Sequence, residues 1–426
     1  MDSKRWIRWF ATAAVPRIGL RLQARLGDPL AQIIMPLDGK GDVYRSAERI
    51  RDAGRIVRGR NSWVTADHEL CREILRDKRF GVLTADRMEL PGMLARLIDA
   101  TRPELLNPSE PPSMIRVDPP DHTRYRRSVS DAFTPRAQAA FQARMLQLTD
   151  ELLDSLDGEL YAERIDEFAA QLPVAVIAEK LGLPAEVRPQ LREWADASAV
   201  LLRVGAPWGA YRAATDSLRD AERFYRGHIA ALRRRPSDDL LSRVTVDTDL
   251  DDREIAAVAM LLADAAIETA GGIIRNGAYQ LLRHPGQLYR LRASAELWPN
   301  AVEEILRFDT SLPMLGRSAL VDVELAGTTI RAGQSVALLI AGANRDPGVF
   351  PEPAVFEIAR PNAKAHLSFG FGIHACLGSA LARSQAVCAL PRLFDRFKSN
   401  KCGDRVRPSL PMGRHGLVRR GTCNEP

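Results

Sequence analysis

The segment HLSFGFGIHACLGSALAR (366–383) concentrates more chemistry than any other part of the chain. Gly370, Gly372 and Gly378 bracket a single cysteine, Cys376, and a helical pattern begins straight after it. Glycines let a backbone approach a flat, bulky group and permit positive φ in tight turns. A cysteine just ahead of a helix sits at the positive end of the macrodipole, which favours its thiolate. Neighbouring N–H groups can donate to the sulfur and tune its charge. These residues suit an anionic sulfur ligand for a metal. The ordinary alternative is a buried structural cysteine in a glycine-rich turn.

Three other groupings carry functional residue types. In AVEEILRF (301–308), Glu304 and Arg307 are three apart and share a helical face. Val302, Ile305 and Leu306 imply burial, where a guanidinium requires carboxylate partners. In MLLADAAIETAGG (260–272), Glu268 and Thr269 stand in an apolar run. They are the exception there, because a buried carboxylate needs a purpose. The ordinary alternative is that the Glu pairs with Arg275 or another base and the Thr bonds back to a helix carbonyl. In DPPDHTRYRRSVSDAFTPR (118–136), His122 and Arg126 are four apart, spaced to clamp an anion or to form a solvated basic face.

The elements that must hold these residues are mostly helices. Helical periodicity covers 137–157, 163–182, 186–203, 209–234, 251–283, 286–296 and 298–308, with Pro285 ending one helix after His284. Residues 55–66 read as a hairpin and 321–344 as further short strands broken at glycines. Segment 84–117, with Pro91, Pro103, Pro108, Pro111 and Pro112, reads as irregular. Pro391 should kink or end the helix that follows Cys376. No linker or repeat divides the chain, so one domain over 1–426 is expected, mainly α with small β-sheets.

FGxGxHxCLGxxLAR resembles the haem-binding loop of the cytochrome P-450 family at every defined position. The resemblance implies the cytochrome P-450 fold enclosing haem b (iron protoporphyrin IX). Cys376 is then the iron ligand, Phe369 shields the sulfur, and Gly370 belongs to the cofactor loop. His374 would reach a haem propionate, as would His122 and Arg126 in the HTRxR stretch and Arg317 in LGRSALVDVEL. Glu304 and Arg307 match the family's ExxR pair, joined by Arg360 from FPEPAVFEIAR, in a structural role. Ala265, Glu268 and Thr269 match its AGxETT segment, which crosses the oxygen-binding face; Ala266 and Ala270 depart from that pattern. Thr269 and Glu268 are then the catalytic proton-delivery pair. The likeness runs from about residue 40 to 400, also taking in LPVAVIAEKLGLP (172–184) and NRDP (344–347). About 40 N-terminal and 25 C-terminal residues match poorly, and SLPMGRHGLVRRG suggests an altered last hairpin.

The implied activity is insertion of one atom of dioxygen into an apolar small molecule. The pocket is expected from 84–117, Met260 to Ala265 and Leu312 to Leu315, aliphatic except for Asp264. No flavin or iron–sulfur motif occurs, so electrons should come from a separate ferredoxin or flavodoxin-type partner docking near Arg126, Arg127 and Arg383. A peroxide-using or non-oxygenating haem-thiolate enzyme (coupling or rearrangement) is one alternative, and a non-catalytic haem or ligand carrier another. The net charge of +6 comes from scattered basic residues mixed with 54 acidic ones, which does not resemble a nucleic-acid footprint. Five cysteines form no CxxC pair or zinc-like spacing and fit a reducing compartment. The N-terminal apolar run Trp9 to Pro16 is too short for a transmembrane segment. It reads as an ordinary helix, with a surface-touching amphipathic helix as the alternative. A cytoplasmic location is expected.

Overall fold

The computed structural model describes residues 2–36, 42–84, 87, 92–156 and 162–396. Its axis is a central helix, Asp252–Arg283, ~48 Å long at 1.5 Å per residue. Asp251 caps it through Glu254, whose side chain returns to the cap N–H. Its flanks are covered by the helices Ala162–Leu181, Arg188–Leu202, Trp208–Arg234 and Ser379–Arg396. Small residues permit the closest crossing: a Cβ on Gly271 would stand 2.6 Å from the Ala169 carbonyl oxygen. The central helix is apolar enough to pass for a membrane span, but 67% of its most apolar window is buried against these neighbours. It is the core helix, not a lipid-facing one.

Five strands form the larger sheet in the order β1-β2-β7-β4-β3: Val57–Arg58 (β1), Ser62–Thr65 (β2), Phe80–Val82 (β3), Leu315–Ala319 (β4) and Ser335–Leu338 (β7). β1 and β2 make the expected hairpin, while β2 and β7 pair in parallel. Val323–Leu325 (β5) and Thr328–Ile330 (β6) form a separate two-stranded ribbon. β4 places Arg317 opposite Val82 on β3.

The helices expected from periodicity appear within a few residues of their anticipated ends. Other expectations need correction. Segment 84–117 is not irregular throughout, because MLARLIDA supplies good helix formers and Gly92–Ala100 is helical. Residues 340–343 are not strand but a short helical turn, Ile340–Ala343. Pro391 does not end its helix, which continues to Arg396. Packing of that helix against Pro135–Asp154 holds it across the missing N–H. At the N-terminus the helix is interrupted by a π turn, Phe10–Ala14, where the Val15 N–H reaches back to the Phe10 carbonyl. Pro16 lacks the N–H that Thr12 would otherwise receive. The expected C-terminal hairpin lies outside the described residues.

One buried ionic cluster ties these layers to the cysteine loop. Arg307 donates to Glu304 through Nε and Nη2, both at 2.7 Å, and neither side chain has exposed surface. Arg360 adds Nε to Glu304 Oε1 at 3.2 Å, and the Glu357 N–H donates to the same oxygen at 2.9 Å. The remaining guanidinium N–H groups go to the carbonyls of Pro351, Glu352, Pro353, Val355 and Asn344. Asn344 carries the chain of support onward: its Oδ1 accepts from the Leu367 N–H at 2.7 Å and its Nδ2 donates to Ser368 Oγ at 2.8 Å. Ser368 Oγ in turn donates to the Leu306 carbonyl. Glu304→Ala would leave two guanidiniums in the core without a carboxylate, at a cost of about 3–5 kcal/mol. Chemical denaturation of the variant should show a loss of that size; a loss below 1 kcal/mol would mean that the cluster contributes little to stability.

Candidate active site

The loop carrying Cys376 is wound by its glycines. Gly370 and Gly372 adopt φ of 65° and 74°. A Cβ on Gly372 would also meet the Leu75 carbonyl oxygen at 2.2 Å, so only glycine fits there. The loop closes where the Cys376 N–H donates to the Phe369 carbonyl at 2.8 Å, and the following helix begins at Ser379. Phe369 is capped by Arg383, whose guanidinium lies 4.4 Å from the ring centre. Cys376 has exposed surface yet lies deep within the protein, a sulfur facing an internal cleft. Burial raises its thiol, against the Gly378 N–H, Arg126 and Arg383, which favour the thiolate. Burial prevails over these three, and a bound cation would favour the thiolate.

Beside the sulfur, the basic residues singled out by sequence come together from three separate segments. The His122 and His374 rings lie 4.0 Å apart. His374 is lowered to about 4 by burial and by the neighbouring His122 and Arg317. Burial and Arg126 likewise lower His122. Arg317, buried on β4, is lowered to about 10 by desolvation, and its Nη1 donates only to the adjacent Gly316 carbonyl at 2.9 Å. Arg126 is also lowered by burial, against the attraction of Cys376. Among the described residues His374 Nε2 is buried without a hydrogen-bond partner, since Asp118 Oδ1 stands 3.6 Å away, too far for one. An orphaned imidazole nitrogen and two under-satisfied guanidiniums beside an inward-facing sulfur fit a flat metal complex bearing carboxylates.

The other wall is the central helix. Along a face otherwise buried, Ala265 is exposed and Glu268 and Thr269 are half-buried. Thr269 Oγ1 donates to the Ala265 carbonyl at 2.7 Å, the backbone alternative read from sequence. Arg275, named in the sequence alternative for Glu268, pairs with Asp166 at 2.8 Å. Ala266 packs against the main apolar cluster, so its methyl lies on the core side. A small pocket lies along this helix, lined by Leu106, Asn107, Pro108 and Ser113 on one side and Ala257, Met260, Leu261 and Asp264 on the other. These are two of the three segments expected to form the pocket; Leu312 to Leu315 do not line it.

Several contributors were not found by sequence reasoning. Glu303 accepts from Arg383 Nε at 2.7 Å and lies 3.0 Å from His366 Nε2. Burial opposes its charge, but these two partners prevail and lower it to about 2. Only its neighbour Glu304 fitted a pairing rule, and contacts to residues 63 and 80 positions away have no local signature. Asp118 was also missed: burial opposes its charge, but Arg87, the Val82 N–H and His374 hold it below its ordinary value. Asp264 was expected as the one charge in an aliphatic pocket, without a named partner. The partner is Ser198, which donates to its carboxylate, and burial raises the carboxyl to about 7. The Tyr225 hydroxyl, raised by burial and by Asp264, has no hydrogen-bond partner among the described residues.

Comparison with known proteins agrees with this geometry. Residues 289–421 match the family model for cytochrome P450. A putative cytochrome P450 140 of Mycobacterium tuberculosis is 39% identical over 92% of this chain and 91% of its own length. The 6-deoxyerythronolide B hydroxylase of Saccharopolyspora erythraea is 34% identical over 90% of this chain and 95% of its own. The crystal structure of P450BioI in complex with hexadec-9Z-enoic acid ligated acyl carrier protein superposes with a TM-score of 0.74 at 34% identity, covering 83% of this chain and 91% of that one. With its thiol loop, its basic cradle and relatives of this likeness along nearly its whole length, the chain belongs to the cytochrome P450 family and is a haem-binding monooxygenase.

Proposed function

We propose that this monooxygenase acts on an apolar small molecule, with electrons from a separate ferredoxin or flavodoxin-type protein in the cytoplasm. The observation that carries the reading is the meeting of Cys376 with His122, Arg126, Arg317 and His374; on the central helix, Ala257, Met260 and Leu261 line a mostly apolar pocket. In this reading Cys376 Sγ holds the iron of haem b, and the four basic residues receive its propionates. Haem, when bound, supplies the activation of dioxygen, with one atom going to substrate and one to water.

The remaining roles belong to the protein's own side chains. Gly370 keeps the loop open to close approach, and Phe369 covers the sulfur beneath the Arg383 guanidinium. Thr269 can rotate its proton away from the Ala265 carbonyl toward the cleft, where exposed Ala265 leaves room. Glu268, one residue away and half-buried, resupplies that proton from water. Glu304, Arg307 and Arg360 do no chemistry; they fix the loop through Asn344. Leu106, Met260 and Leu261 favour an apolar substrate, and Asp264 offers it one polar handle. The relative crystallised with hexadec-9Z-enoic acid ligated acyl carrier protein and the one named as a 6-deoxyerythronolide B hydroxylase support a mostly apolar substrate. For the electron donor, Arg127 is exposed and Arg126 and Arg383 are partly so, giving an acidic partner a basic docking face.

Three measurements test this reading. The ferrous–carbon monoxide complex should show the strongly red-shifted Soret band of thiolate ligation, and Cys376→Ala should abolish it; an unshifted band in the parent would remove Cys376 from the iron. Thr269→Ala should keep consuming electrons from a ferredoxin system while releasing at least tenfold more hydrogen peroxide per product, on the scale of a lost proton-transfer group. Unchanged coupling would take Thr269 out of proton delivery. Asp264 ionises near 3.8 when unfolded and about 7 when folded, so the unfolded chain holds fewer protons between those values. Its burial therefore costs stability increasingly as pH rises through that window. Asp264→Asn should melt above the parent by a margin that grows from pH 5 to pH 7 and then levels; a constant margin would show that the carboxyl is not shifted.

A further inference from the structure

The N-terminal helical segment presents its large apolar side chains outward. Trp6, Phe10, Ile18, Leu22 and Leu26 are 46%, 40%, 64%, 57% and 55% exposed, whereas Ala11, Ala13 and Ala24 face inward at 5% or less. A surface helix ordinarily does the reverse. The segment is firmly mounted, so this is not a loose end. Arg8 is buried, donating to the Ile98 carbonyl at 2.7 Å and pairing with Glu110, and Trp9 Nε1 donates to the Ala206 carbonyl at 2.8 Å.

The π turn at Phe10–Ala14 aligns the outward residues. At ~100° per residue, an uninterrupted helix would carry Ile18 ~120° and Leu22 ~160° from Trp6. Absorbing one residue in the wider turn returns them to ~20° and ~60°, in line with Phe10 at ~40°. Trp6 stacks on Phe10 at 5.4 Å, making a continuous aromatic start to the stripe. Met93, 84% exposed, stands on Gly92–Ala100, a helix that touches this segment. Val204, 45% exposed, precedes Gly205, which abuts the Arg17 side chain.

Charge decides the occupant. Residues 2–27 contain Lys4, Arg5, Arg8, Arg17, Arg21 and Arg25 against one acid, Asp2. Arg5 and Arg8 are turned to Asp216 and Glu110. Lys4, Arg17, Arg21 and Arg25 have no acidic partner among the described residues, and Arg21 and Arg25 are exposed within ~40° of the stripe. Arginines can lie along apolar surface while their heads reach phosphates, and tryptophan favours the same interface. We propose that this segment docks the protein, as a peripheral and not a spanning element, onto an anionic lipid bilayer surface, with Trp6, Phe10, Ile18 and Leu22 immersed and Arg21 and Arg25 among the headgroups. The proposal does not depend on the substrate reading above.

The test is co-sedimentation of the full-length, haem-loaded protein with vesicles of equal parts phosphatidylglycerol and phosphatidylcholine, and with phosphatidylcholine alone. The parent should bind the anionic vesicles at least tenfold more tightly than the neutral ones and be released by high salt. Ile18→Asp with Leu22→Asp should lose at least tenfold in binding, and Arg21→Glu with Arg25→Glu should convert the remaining preference to neutral vesicles. All four positions are exposed, and an unchanged ferrous–carbon monoxide spectrum will verify that each variant is folded. Absence of binding to anionic vesicles overturns the proposal, as does equal binding by the aspartate variant. A concentration-dependent dimer abolished by that variant, without vesicle binding, would instead assign the stripe to a second copy of the chain and equally overturn it.

Discussion

The carboxylate of Glu304 is the point on which the rest of this structure depends. It has no exposed surface and is shared by two guanidiniums and a backbone N–H, so every strong acceptor site on it is used. A buried ion pair gains little over an apolar core of equal volume, but breaking one is costly. The cluster therefore specifies arrangement more than it adds stability. Arg307 and Arg360 spend their other donors on five carbonyls between Asn344 and Val355, which fixes that stretch of irregular backbone. Asn344 then passes the constraint to Leu367 and Ser368, a few residues before the glycines of the cysteine loop.

Around that constraint, opposing effects of different size decide the local chemistry. At Cys376 the N–H of Gly378 and two arginines pull toward the thiolate, yet desolvation wins. At Glu303 the contest goes the other way, because the hydrogen bonds and charges of His366 and Arg383 outweigh its burial. Two hydrogen-bonded cationic partners do there what one backbone N–H and two arginines without a hydrogen bond do not do at Cys376. Asp264 has a single neutral donor, Ser198, and its carboxyl stays high.

Much of this was legible in the sequence because it rests on local spacing. Glu304 and Arg307 share a helical face, His122 and Arg126 share another, and the central helix announces itself by 30 residues of apolar periodicity closed by Pro285. The cysteine loop is readable because its glycines are required by φ and by contact, as at Gly372. What escaped is set by tertiary packing. His366 reaches Glu303 across 63 residues, and Ser198 reaches Asp264 across 66. Pro391 obeys a local rule that helix–helix packing overrides, and the π turn ahead of Pro16 has no pattern in composition. The placement of Leu106 and Ser113 against Met260 was half-visible, since the segments could be named but not their contact.

The basic cradle near the sulfur has a simple arithmetic. Burial keeps the His374 imidazole uncharged until the solution is about as acidic as pH 4, and pulls His122 in the same direction. Arg317, even lowered to about 10, stays cationic at neutrality, as does Arg126. Between those limits the cradle keeps two positive charges and a pair of neutral rings, so mild acid or alkali does not change the charge that it would offer to a ligand bearing carboxylates.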